Sequence, residues 1–68
     1  PTDDPPITRS QTRELQEALV AMGYDPGGVD GIFGPNSRRA LMAFQRSRGM
    51  NADGYAGRLT YDAVMAAE

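Results

Sequence analysis

The sequence contains no cysteine, no histidine, no lysine and no tryptophan. Without cysteine or histidine, disulfide staples and the common zinc ligand sets are excluded. The thiol and imidazole groups on which the usual nucleophilic triads rely are excluded with them. Without lysine, all seven cations are guanidinium groups, set against nine carboxylates for a net charge of −2. No continuous basic run is present, so nucleic acid is not expected as the main partner. No stretch reaches the roughly 20 apolar residues of a membrane-spanning helix, so membrane insertion is not expected. None has the pattern of a secretory leader either, and a start at Pro1 rather than Met is what an excised fragment would show. A chain of 68 residues makes one small domain with a modest core. With no covalent or metal staple from cysteine or histidine, its stability has to come from helix packing and well-specified turns.

Three segments carry helical periodicity. "PTDDPPIT", residues 1–8, is Pro-rich and acidic and is expected to be an extended, poorly ordered linker or tail, with the domain proper over residues 9–68. Thr8 or Ser10 can cap a first helix, and Thr8 with Gln11 fits a capping box. Leu15, Ala18, Leu19 and Met22 then form one apolar stripe, and Gly23 followed by Tyr24 reads as a left-handed stop with a returning apolar contact. A second helix is expected from Pro35, which suits the first helical position. Its apolar face is Ala40, Leu41 and Phe44, with Arg38, Arg39, Met42 and Arg46 projecting the other way, and Gly49–Met50 repeats the stop. A third is expected after Gly57, with Leu59, Thr60, Ala63, Val64 and Ala67 toward the core and Arg58, Tyr61 and Met65 outward. Phe33, Leu41 and Phe44 are assigned to the core. The expected fold class is all-α: a compact bundle of three short helices joined by Asp-Gly-x-x-Gly loops.

Those loops are a partial internal repeat. Asp30, Gly31, Gly34, Ser37, Ala40 and Leu41 map at one constant offset onto Asp53, Gly54, Gly57, Thr60, Ala63 and Val64. The register is lost upstream, where the first loop is longer. Neither copy supplies the alternating oxygen ligands and closing glutamate of an EF-hand, so no metal is expected. Neither ends in the Gly-Lys-Ser/Thr of a phosphate-binding loop, and no cofactor is expected. The residues suit a structural role instead. Asp side chains accept hydrogen bonds from backbone N–H groups two or three residues on, and the following glycine permits positive φ. Ser37 and Thr60 are placed to serve backbone groups of the first helical turn. Asp30, Gly31, Gly34, Asp53, Gly54 and Gly57 are therefore assigned to shaping the loops.

The ordered set Leu15-Gln16, Gly23-Tyr24, Val29-Asp30-Gly31-Ile32-Phe33-Gly34, Ala40-Leu41, Phe44-Gln45, Gly49-Met50 and Asp53-Gly54 through Gly57 and Thr60 resembles the peptidoglycan-binding domain family, a small three-helix bacterial cell-wall module. The likeness runs from Leu15 to Val64. Ser37 stands where that family usually has Thr, Tyr61 where Trp is frequent, and Ala56 where a larger apolar residue is common. "DGYAG" is similar to the version at the C-terminus of lytic murein transglycosylases. The resemblance implies a non-catalytic, monomeric module tethered to a cell-wall lytic enzyme or hydrolase and located in the periplasm or cell wall. It implies the glycan or the stem peptide of peptidoglycan as partner, and the Pro-rich start as the linker.

Such a ligand calls for an aromatic face for sugar rings, Arg forks for carboxylates and amide partners for acetamido groups. Four of the seven arginines lie between Arg38 and Arg48, and no acid occurs from Gly31 to Ala52. Two faces compete: Tyr55, Arg58 and Tyr61 with Met65 around the third helix, and Arg38 and Gln45 with Met42 and Arg46 on the second. An exposed Tyr beside an Arg at a helix N-terminus favours the first. Glu14 and Glu17 are expected on an exposed face, and no deep cleft is expected to tune a carboxylate pair for catalysis. An alternative partner is the attached catalytic domain itself, with Met42 and Met65 as a protein-docking surface.

Overall fold

The structure is a computed structural model and describes residues 5–67. Residues 1–4 of the expected linker lie outside the described residues. The architecture is all-α: α1 (Arg9–Ala21), α2 (Pro35–Ser47) and α3 (Arg58–Ala67), with no named strand among the described residues. Thr8 caps α1, its hydroxyl accepting from the Gln11 N–H at 3.1 Å while the Gln11 side chain accepts from the Thr8 N–H at 2.9 Å. Both long helices stop in the same way. The Tyr24 N–H donates to the Leu19 carbonyl and the Met50 N–H to the Gln45 carbonyl, each at 2.8 Å. Gly23 and Gly49 take the left-handed φ that this Schellman closure requires. Pro35 opens α2 where its missing N–H costs nothing.

The core consists of Leu15, Ala18 and Leu19 from α1, Ala40, Leu41 and Phe44 from α2, and Val64 from α3. Tyr24 meets Phe44 edge-on with ring centroids 6.4 Å apart, and the Arg48 guanidinium lies 5.4 Å from the same ring. α1 is the helix that packs against both others.

α3 keeps Thr60, Ala63, Val64 and Ala67 toward the core as expected, and departs from expectation at Leu59, Tyr61 and Met65. Thr60 and Val64 are buried, but Leu59 is 61 % exposed, whereas Tyr61 and Met65, expected outward, are half-buried against the core. The Tyr61 hydroxyl donates to the Glu14 carboxylate of α1 at 2.7 Å, with the ring packed between the two helices. Apolar residues also flank the inward face of α3, so periodicity alone did not separate Leu59 from Met65. Phe33, expected in the core, is half-buried in the loop before α2, and Met42, expected outward, is half-buried too.

The loops are held from below by two buried glutamines. Gln16 is wholly buried; its Oε1 accepts from the N–H groups of Asp30 and Gly31 at 3.2 and 2.9 Å. Its Nε2 donates to the Ile32 carbonyl and the Ser37 hydroxyl, both at 2.9 Å. Gln45, only 1 % exposed, repeats this beneath the second loop: Oε1 accepts from the Gly54 N–H at 2.9 Å, and Nε2 donates to Asp53 at 3.0 Å. Replacing Gln16 by Ala strands several loop groups away from water. We expect it to lower unfolding free energy by about 2–3 kcal/mol, measured by urea denaturation followed by circular dichroism; a loss no larger than that of an exposed Glu17→Ala control refutes the clamp.

Candidate functional site

Each loop closes on its own aspartate. Asp30 Oδ1 accepts from the Ile32 N–H, and Asp53 Oδ1 from the Tyr55 N–H, both at 2.9 Å. These backbone bonds first, and the glutamine amides second, hold both carboxyls below their ordinary value of 3.8. An arginine on the preceding helix crosses each turn. Arg38 Nη2 reaches the Asp53 carbonyl at 3.3 Å, and Arg9 Nη2 the Asp30 carbonyl at 3.4 Å. The glycine of each Asp-Gly pair permits this close approach. Gly54 has φ +67°, and a Cβ there would stand 2.6 Å from the Arg38 Cγ. Any side chain at Gly54 therefore displaces Arg38 as well as straining the turn.

Beside the second loop lies an open groove of about 570 Å³. Its walls are Pro6 and Ile7 from the segment before α1, Phe33, Gly34 and Pro35 from the end of the first loop, and Tyr55 and Ala56 from the second. Arg38, Thr12 and Asp53 add the side-chain polarity. Tyr55 is 39 % exposed. The groove thus offers apolar and aromatic walls with one cation anchored across the loop, suited to an amphipathic ligand that carries a carboxylate or an amide.

Of the five residues expected to contact a ligand, the structure brings two together here, Arg38 and Tyr55, one from each competing face. Arg58 stays on the surface in an i,i+4 ion pair with Asp62 at 3.2 Å, which adds little stability at that exposure. Tyr61 sits in the α1–α3 seam, where its bond to Glu14 raises its pKa. Gln45 is a correction: it is buried with both ends of its amide engaged by the loop, so it positions Tyr55 and does not face a ligand. The groove also uses Ile7, Phe33 and Pro35, which the sequence reading placed in a linker, in the core and in a helix start. The doubled apolar-Gln pair, Leu15-Gln16 and Phe44-Gln45, was the available sign that helix and loop form one unit.

The site thus belongs to a small three-helix domain whose two Asp-Gly loops are held over buried glutamines. Residues 8–64 match the family described as "Putative peptidoglycan binding domain", and the chain belongs to that family. It is 43 % identical over 54 residues to the spore cortex-lytic enzyme of Oceanobacillus iheyensis, covering 79 % of this chain and 20 % of that protein. It is 40 % identical over 52 residues to the N-acetylmuramoyl-L-alanine amidase CwlM of Mycobacterium tuberculosis, covering 76 % of this chain and 13 % of that one. Among solved structures, SltB3 from Pseudomonas aeruginosa in complex with NAG-anhNAM-pentapeptide superposes with a TM-score of 0.88 at 48 % identity, covering 96 % of this chain and 17 % of that one. The same protein in complex with NAG-NAM-pentapeptide gives 0.88 at 50 % identity, covering 94 % and 17 %. This chain therefore spans a fifth or less of each of these relatives.

The depressed carboxyls give the domain an acid limit. Because Asp30 and Asp53 titrate lower when folded than unfolded, their contribution is present above about pH 4 and is lost as pH falls through their folded values. The melting temperature should fall as pH drops from about 4 toward about 2.5. In the double variant Asp30→Asn/Asp53→Asn that fall should be shallower; scanning calorimetry across the pH series decides, and an unchanged slope rejects the assignment.

Proposed function

We propose that this chain is a non-catalytic module that binds peptidoglycan weakly and reversibly and holds an attached cell-wall lytic enzyme on its substrate, in the periplasm or cell wall. The groove between the second Asp-Gly loop and the Phe33–Pro35 segment is the observation that carries the reading. Peptidoglycan is a polymer of N-acetylated amino sugars with carboxylate-bearing peptides. Tyr55, Phe33 and Pro35 offer surfaces for sugar rings and acetamido methyls, and Arg38 offers a fork for a carboxylate. Family membership and the lytic names of the relatives support the same ligand, as do the muropeptide complexes of SltB3. The likeness of "DGYAG" to the form in lytic murein transglycosylases is part of the proposal. The absence of histidine and cysteine from the sequence supports a non-catalytic role, and the loop carboxylates are engaged in holding their turns. The docking alternative has less support, because Met42 and Met65, expected outward, are both half-buried.

Sedimentation of the full chain with purified peptidoglycan at low salt tests the proposal. We expect co-sedimentation, weakened roughly fivefold to tenfold by Arg38→Ala and by Tyr55→Ala, each truncating a central contact, with melting temperatures close to that of the unaltered chain. Failure of the unaltered chain to sediment rejects peptidoglycan as the ligand. Binding that survives both substitutions but falls with Arg58→Ala and Arg46→Ala places the site elsewhere on the domain.

A further inference from the structure

The family match begins at residue 8, yet the groove does not. Pro6 and Ile7 line it, and the segment that carries them is fastened to the opposite end of the described chain. The Pro5 carbonyl accepts the Arg58 N–H at 2.8 Å, and Pro6 pairs with Gly57 in an isolated antiparallel bridge. Arg58 is the first residue of α3, so Pro5 satisfies one of the N–H groups that a helix leaves without an internal partner. Ile7 then packs against the core cluster, and Thr8 caps α1. Pro5, Pro6 and Ile7 fall within the linker expected from the sequence, whereas Thr8 was also expected as a cap.

Two physical features suit the segment to a binding role. Its prolines fix φ, so little backbone entropy is lost when it docks. Its fastening is also modest, a short backbone bridge to Gly57–Arg58 plus the partial burial of Ile7, so it is an equilibrium that a ligand can shift. A wall that exists only when the segment is docked must be stabilised by whatever contacts it, and the coupling is reciprocal.

Resting on the groove reading above, we propose that Pro5–Ile7 form a strap that belongs to the ligand site. It supplies the groove wall outside the family core, and a peptidoglycan fragment in the groove and the strap on the start of α3 stabilise each other. The ligand is the same amphipathic amino-sugar peptide; the addition is that its affinity is set in part by residues N-terminal to the family domain. Occupancy of the groove then holds Pro5 at the start of α3.

The test uses the full chain and NAG-NAM-pentapeptide as probe. Amide hydrogen exchange followed by NMR should show the Arg58 N–H slowed severalfold when the fragment is added, because the bond to Pro5 is then held closed. Pro6→Gly, which removes a wall ring and frees φ, should weaken binding by roughly fivefold and abolish the slowing at Arg58, with the dispersion of the core resonances unchanged. Undiminished affinity in Pro6→Gly together with an Arg58 amide indifferent to the fragment overturns the strap. If Arg38→Ala still loses binding in that case, the groove stands without it. No binding by the unaltered chain overturns the groove and the strap together. Should Pro6→Gly fold poorly, the Arg58 exchange in the unaltered chain decides alone.

Discussion

The interaction on which this domain depends is the primary amide of a buried glutamine. Its loops fold over the core, and backbone groups removed from water need partners. An amide offers a carbonyl acceptor and two N–H donors on one uncharged side chain. Gln16 can therefore serve N–H groups and a carbonyl of the same turn, and Gln45 a backbone N–H and the Asp53 carboxylate. A charged residue in either place would add a desolvation cost that a core this small has little apolar surface to offset. Among the described residues, no buried side-chain nitrogen or oxygen lacks a partner. For a chain with no disulfide, that completeness stands in for a covalent staple.

The repeated unit is consequently larger than the Asp-Gly loop. It is a helix, its Schellman stop and the loop that folds back onto it, with Arg at i and Gln at i+7 of the helix: Arg9 and Gln16 in the first copy, Arg38 and Gln45 in the second. The extra residues of the first loop are absorbed locally. Asp25 accepts from the Gly27 N–H at 2.9 Å, and the Ser37 hydroxyl donates to the carbonyl of buried Pro26 at 3.1 Å. Ser37 therefore ties α2 to the insertion and to Gln16, a longer reach than the first-turn role expected of it. The two copies face different neighbours. Arg38 borders a groove because Phe33, Pro35, Pro6 and Ile7 rise around it, whereas Arg9 borders a smaller, polar pocket of about 350 Å³ with Ser10 and Arg13.

What could be read from the sequence follows from this organisation. The helices, their stops and the Thr8 capping box were legible because each is encoded within a few neighbouring residues, as Gly23-Tyr24, Gly49-Met50 and Thr8–Gln11 show. Most of the face of α3 was legible too, in Thr60, Ala63, Val64 and Ala67; the exposure of Leu59 and the half-burial of Tyr61, whose hydroxyl meets Glu14 across 47 residues of sequence, were invisible to periodicity. The groove was half legible. Arg38 and Tyr55 stood out by chemistry, but assigning them to rival faces treated α2 and α3 as isolated surfaces. The loop that Gln45 holds is what brings them together. For Gln45 the sequence allowed both a ligand contact and a bond to loop backbone, and its partners, in a turn eight residues on, decide for the second.

In the proposed role, weak binding is a consequence of the construction. One anchored cation and a few apolar walls on an open groove bury little area, and part of any gain is offset by the freedom lost on association. That suits a tethered module on a polymer. A second domain on the same chain sees its substrate at an effective concentration set by the tether, so modest affinity suffices to retain it, and fast release lets it move to the next repeat. The rigidity of the loops matters more here than the number of contacts. Arg38 and Tyr55 are held by Gly54, Asp53 and Gln45 before any ligand arrives, so little ordering remains to be done on binding. In that role the part of the site still free to adjust is the wall at Pro6 and Ile7, held in place by the bond between Pro5 and the start of α3.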